Sequence, residues 1–212
     1  PTEMGVNMVG FGISDDEVCC NAANDEIIRR YYTALNRMAD GAGNENEVHK
    51  IALLFKQAKI NTAYRKTTVA ARERKEQTGL ASAAIELEDG TIITAGSSPL
   101  LGPCAALILN ATKYLAGIDH NVKLIPQSMI EPIQKTKVKY LKGKNPRLHS
   151  DEVLIALSVL STQSEDCAKA LKMLPKLAGC QVHTTVMLSE VDRKTFSKLK
   201  IGLTSDAARD TN

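Results

Sequence analysis

The sequence has no tryptophan, and aromatic side chains make up only 4% of its 212 residues. Such scarcity argues against the stacked aromatic platforms on which single-stranded nucleic acids are held. Charge of one sign is also in short supply. The 27 basic residues face 24 acidic ones, a net charge of +3, too weak to mark a nucleic-acid surface. No apolar run is long enough to span a bilayer. The opening PTEMGVNMVGFGIS has no charged segment of the kind that begins a secretory leader. Neither nucleic acid nor membrane is therefore expected as a partner. The five cysteines form no C-x-x-C pair, so the usual structural zinc set is missing and no metal is expected. Cys19 and Cys20 are neighbours, which a disulfide would join only under strain. Cys104 and Cys167 sit in apolar helical patterns and read as small buried hydrophobes. These features point to a reduced, cytoplasmic protein. What is present, 43% hydrophobic and 24% charged residues, suits a folded chain of one large domain or two small ones.

The chain divides by character. Residues 1–13 are a short apolar lead-in with three glycines. Ser14 and Glu17 have the spacing of a capping box, and helical periodicity follows through Ile28, Tyr32 and Leu35. DGAGNEN is loop chemistry. A second helical run is expected over about 46–76, closed by Gly79. Its basic end is expected to project or to meet another chain. Residues 1–78 thus read as a helical arm. From residue 80, ASAAIELE, Asp89-Gly90 and TIITAG predict a β-hairpin on a two-residue turn. A helix closed by Gly117, a short strand VKLI, a helix opened by Ser128 with Glu131, and helices capped by Ser150 and Ser164 follow. VHTTVML predicts a strand, and Ser189 with Asp192 starts a last helix. Residues 79–204 are therefore expected to form a layered α/β domain, with 205–212 as a tail.

Six blocks carry a resemblance: EMGVNMVGF, DDEV with EIIRRYY, SSPLLGPCAALILNATKYLAGI, MIEPIQ, GKNPRLHSDEVLIALS and LPKLAGCQVHTTVMLS. In this order they resemble the carboxy-terminal half of the bacterial family of unknown function numbered eighteen forty-six. The resemblance implies a longer protein, with an amino-terminal domain absent here as the chain's partner. It implies no established activity, reaction or cofactor. It also implies a topology similar to the cytidine-deaminase sandwich. The zinc chemistry of that fold needs H-x-E followed by P-C-x-x-C; here the corresponding helix begins GPCAAL. No phosphate-binding G-x-x-x-x-G-K-[ST], H-E-x-x-H or G-x-S-x-G is present either.

The candidate site is the polar stretch KGKNPRLHSDE, which runs straight into a helix start. Free N–H groups and a partial positive charge await there, and Lys144, Arg147 and His149 add cations. That is the composition of an anion site, with Asn145, Ser150 and Asp151 beside it. The structural alternative is a capped helix with a stiff turn and an Arg–carboxylate pair. Ser97 and Ser98, before the GPCAAL helix, are secondary candidates. His183 reads as a satisfied, partly buried histidine. Two functions are expected to compete. One is a small-molecule domain, binding or enzymatic, for an anionic metabolite. The other is an oligomerisation half whose helices meet a second copy, making a homo-oligomer around an active site carried by the absent domain.

Overall fold

A computed structural model describes residues 15–210. The chain separates into two compact units, residues 1–65 and 66–212. The first holds helices α1 (Asp16–Ala39) and α2 (Glu45–Ala58) and a 3₁₀ turn over Thr62–Tyr64. Ser14 lies outside the described residues, and the cap of α1 is Asp15, whose carboxylate accepts from the Val18 N–H at 3.0 Å. The helices pair through the Tyr31 and Phe55 rings, 4.9 Å apart, and through Arg37 with Glu47 at 3.1 Å. Tyr64 donates its hydroxyl to Asn21. The expected helix over 46–76 is broken. Lys59 takes a left-handed conformation at φ 54°, and the Asn61 side chain then accepts from the Ala63 N–H. A left-handed residue ends a helix whatever its neighbours' propensity.

The second unit begins with α3 (Lys66–Thr78), closed by Gly79 at φ 70°. The expected arm boundary at residue 78 and the structural division after Arg65 differ by this helix, which packs on the sheet rather than projecting. The strands are β1 (Ser82–Glu86), β2 (Ile92–Gly96), β3 (Gln181–Thr184) and β4 (Gly202–Ser205), in the order β2-β1-β3-β4. β1 runs antiparallel to β2 and β3, with Ala84 opposite Thr94 and His183; β3 and β4 are parallel. The hairpin loop is one residue longer than expected. Leu87 N–H donates to Thr91 O, so Glu88, Asp89 and Gly90 form the loop, with Gly90 at φ 80°.

Five further helices complete the unit: α4 (Pro103–Leu115), α5 (Gln127–Lys135), α6 (Ser150–Leu160), α7 (Glu165–Lys172) and α8 (Glu190–Lys198). A π-helical turn, Thr136–Tyr140, continues α5, and Pro132 lies inside α5. VKLI is not a strand. Leu124 and Ile125 are buried by packing against the helices, and no ladder partner runs beside them. β4 escaped the sequence reading because GLTS is short and weakly apolar; it exists because β3 offers a free parallel edge.

Alternation along the strands divides the sheet into unlike faces. Ala83, Ile85, Ala95 and Val182 join Leu107, Ile108, Ala111 and Phe196 in one core cluster. α4 also sends Ala105 and Leu109 into a second cluster, with Leu148, Val153, Leu157 and Cys167. The opposite sheet face carries Ser82, Ala84, His183 and Thr204, and α3 covers it with Thr67, Thr68 and Ala71. Arg72 of α3 closes on Asp206 at 2.6 Å. His183 is fully buried, with Thr204 Oγ1 2.9 Å from its Nδ1 and Asp206 3.4 Å from its Nε2. A mixed α/β fold is thus what the chain adopts. No helix among the described residues is long and apolar enough to cross a membrane.

Candidate functional site

The stretch Lys142–Glu152 is held from both sides. Leu148 pairs with Leu101 in an isolated parallel bridge, through Leu148 N–H to Leu100 O at 3.0 Å and Gly102 N–H to Leu148 O at 3.1 Å. The two loops singled out in the sequence, around Ser98 and around Arg147, therefore run side by side. The Ser98 hydroxyl accepts from the N–H groups of Leu100 and Leu101, which shapes its own turn. Ser97 is buried.

Most of the cations in the stretch already have protein partners. Asn145 accepts from the Arg147 N–H at 3.0 Å, and the Arg147 guanidinium meets Asp210 at 2.7 Å. Lys137, from the π-helical turn, donates to Arg147 O at 2.7 Å and to Glu152 at 2.8 Å. Lys144 is exposed. The helix cap is also placed one residue earlier than expected. His149 is the N-cap of α6, and its N–H donates to Glu152 Oε2 at 2.7 Å. Ser150 is the first helical residue, and Asp151 accepts from the Glu152 N–H.

The hydroxyl and N–H of Ser150 both go to Asp192 Oδ1, at 2.5 and 2.9 Å. Asp192 lies in the first turn of α8. Its second oxygen takes Ser189 Oγ at 2.8 Å and His149 Nδ1 at 3.0 Å. Only 7% of Asp192 is exposed. A helix N-terminus attracts an anion, and at α6 the chain supplies that anion itself. Burial alone would raise the Asp192 carboxyl, but the hydrogen bonds from His149 and Ser150 outweigh it and bring the value down to about 2. The hydrogen bond to Asp192 holds the His149 imidazole above its ordinary value, against the opposing pull of burial. Beneath lies Cys104, whose thiol is pushed well up by burial and then by the Asp192 charge. It stays a protonated core group.

The pair has a buried carboxylate, an imidazole oriented through Nδ1 and a ring still one-fifth exposed. Nε2 of His149 has no hydrogen-bond partner among the described residues. An imidazole in this setting can carry a proton at Nε2 or present a positive charge outward. Asp192 and Ser189 were missed as site residues because 42 positions separate Ser150 from Asp192; the only local signal was the Ser-x-x-Asp helix start. Among the described residues no group of three or more His, Cys, Asp or Glu is arranged to hold a metal ion.

These features describe a layered α/β domain with an oriented Asp–His pair at a helix start. The model described as "Domain of unknown function DUF1846, C-terminal" matches residues 63–212, and the one described as "Domain of unknown function DUF1846, N-terminal" matches residues 1–59. The chain belongs to this family. It is 50% identical over 206 residues to "UPF0371 protein cu0538" of Corynebacterium urealyticum, covering 97% of this chain and 41% of that relative. A "UPF0371 protein" of Corynebacterium aurimucosum is 48% identical over the same shares, and "UPF0371 protein str1377" of Streptococcus thermophilus 44%, covering 42% of its length. The chain spans about two-fifths of the length of these curated relatives. The expectation of a carboxy-terminal half alone, partnered by an absent amino-terminal domain, is corrected: residues 1–59 themselves match the amino-terminal model. The gap between the two matches falls beside the division after Arg65.

Proposed function

We propose that the domain binds a small anionic metabolite at the 144–151 stretch, with His149 as its principal contact. The observation that carries this reading is the His149–Asp192 pair. The carboxylate is buried, the ring is held by Nδ1, and Nε2 is without a partner among the described residues. Lys144, exposed on the same stretch, adds a second cation. Arg147 is the weaker candidate, because Asp210 already takes its guanidinium. The ligand meets the imidazolium from outside, since Asp192 occupies the helix start. An imidazole so oriented also serves proton transfer, which leaves room for an enzymatic role. Calorimetry with inorganic phosphate and simple phosphorylated metabolites tests the reading. His149→Asn is expected to weaken binding by about 1.5–3 kcal/mol, the size of one charge-assisted hydrogen bond. Arg147→Ala is expected to weaken it less. Equal binding by wild type and His149→Asn, or none by either, would sink the proposal.

An oligomerisation role has its own observation, at a different place from the expected one. The helical stripe over 18–60 is partly covered: Ile28 and Tyr32 are buried, Leu35, Ile51, Leu54 and Phe55 are half-buried, and Val18 is exposed. The larger exposed apolar set is on the second unit. The π-helical turn exposes Val138 and Tyr140, Leu141 just after it is exposed, and α6 exposes Ile155 and Val159. The Lys137–Glu152 ion pair ties these two elements together. Exposed apolar surface of this kind favours association. Sedimentation is expected to give a homo-oligomer that Leu141→Asp with Ile155→Asp dissociates. A wild type that stays monomeric when concentrated would remove this reading.

A further inference from the structure

A cavity of about 610 Å³ in the second unit runs along the outer edge of β2, and a second of about 380 Å³ shares four of its lining residues. β2 is an edge strand, with β1 on its inner side only. Leu87 N–H to Thr91 O and Ser97 N–H to Ala81 O mark the inward-bonded positions. By the alternation of an antiparallel ladder, Ile92, Thr94 and Gly96 turn their N–H and C=O groups outward. One outward acceptor is in use: the Asn110 amide donates to Thr94 O at 3.2 Å, leaving that carbonyl a second lone pair. An open edge with this geometry is a template for another strand.

The charge around the edge selects the partner. The two cavities are lined by Arg74, Lys113, His120 and Lys123, and by no carboxylate. In a chain of 27 basic and 24 acidic residues this is a local excess. The nearby Asp119 carboxylate accepts from the Asn121 N–H at 2.7 Å. Lys113 is fixed in place by the carbonyls of His120 and Val122, at 2.8 and 3.2 Å. Arg74 comes from α3 and Lys113 from α4, so the cations stand on both faces of the sheet edge. An incoming strand points successive side chains to opposite faces, so acidic residues on either face would meet a cation.

We propose that the outer edge of β2 is a docking site for an extended acidic peptide segment, which adds a fifth strand to the sheet. Pairing with Ile92–Gly96 covers about 14 Å, or five residues at strand rise. Main-chain hydrogen bonds supply the register, and Arg74 and Lys113 the preference. Neither His149 nor Asp192 lines the groove, so this inference stands apart from the metabolite reading.

The test uses the full chain and terminally blocked heptapeptides, one alternating Glu with Val, one alternating Lys with Val, and one Glu/Val peptide N-methylated at alternate residues. Binding is read by fluorescence anisotropy and by the backbone amide shifts of Ile92, Thr94 and Gly96. The Glu/Val peptide is expected to bind saturably, shift those three amides, and bind about tenfold more tightly than the Lys/Val peptide. Arg74→Glu is expected to weaken it about fivefold, and N-methylation to abolish it. Four results would overturn the proposal. These are no saturable binding, equal binding of the two charges, equal binding of the N-methylated peptide, and Arg74-dependent binding of glutarate without peptide binding. Self-association that acidic peptide cannot displace would assign the edge to a second copy and overturn it as well.

Discussion

Replacing Asp192 with alanine is expected to destabilise the second unit by about 3–5 kcal/mol, the usual cost of removing one partner of a buried charge cluster. The carboxylate accepts from the N–H and hydroxyl of Ser150, from Ser189 and from His149. Alanine leaves the Ser150 donors buried without an acceptor, since Ser150 is fully buried. Urea unfolding, followed by a probe on the second unit, measures the loss; the two compact units need not unfold together. Asp192→Asn separates charge from shape and is expected to cost about 1.5–3 kcal/mol. It should also change the pH profile. The folded carboxyl lies at about 2, below its unfolded value, so its contribution is present above about pH 4 and fades as pH falls towards 2. His149 is shifted the other way. Its contribution is complete below about pH 6.5 and is lost as pH rises through the higher folded value. Thermal melts near pH 3, 6 and 9 should therefore give a maximum near about 6 in the wild type and a flatter profile in Asp192→Asn. Matching profiles for the two proteins would show that the cluster adds nothing.

Phe196→Ala is expected to cost a similar amount, about 3–5 kcal/mol, for an unrelated reason. Phe196 follows Asp192 by one helical turn on the same face of α8 and is completely buried in the core cluster with Leu107 and Ile108. Its loss opens a cavity between the sheet and α4. A cavity has no titrating group, so the penalty should be the same across the pH range that reshapes the Asp192 variants. Phe196→Leu should recover most of the stability. A Phe196→Ala penalty that varied with pH as strongly as the Asp192 effect would show that the aromatic ring acts through the carboxylate cluster.

Local signals were the legible ones. Gly79, Gly90 and Gly117 all have positive φ, and each stands at the boundary where the sequence called for one. Ser164 and Ser189 are both helix caps with their hydroxyls in place. The hairpin around Asp89-Gly90 formed, with a loop one residue longer. Reading failed where a partner far along the chain decides the outcome. VKLI has strand-like residues but no free edge beside it, whereas GLTS has a poor pattern and the free edge of β3. The break at Lys59 depends on a left-handed residue that no composition rule singles out. The site was half legible. The stretch holding His149 stood out by its charge, and residue type alone could not tell a cation awaiting a ligand from one already matched. Arg147 meets Asp210, and Lys137 meets Glu152. Asp192, which orients the histidine, arrives from another helix.

The pairing of β4 with β3 has a consequence for how the domain is made. The hairpin β1–β2 emerges from the ribosome early, but β1 has no neighbour on its other side until β3 is complete, four helices later. β4 is later still, and with it come Asp206, the partner of Arg72 across 134 positions, and Asp210, the partner of Arg147. Contacts of such span close slowly. A nascent chain interrupted before residue 202 would carry an open strand on each side of an unfinished sheet, with α3 lacking its anchor. Translation therefore leaves the sheet unfinished until β4 is made, and a stalled chain would be a target for chaperones and proteases.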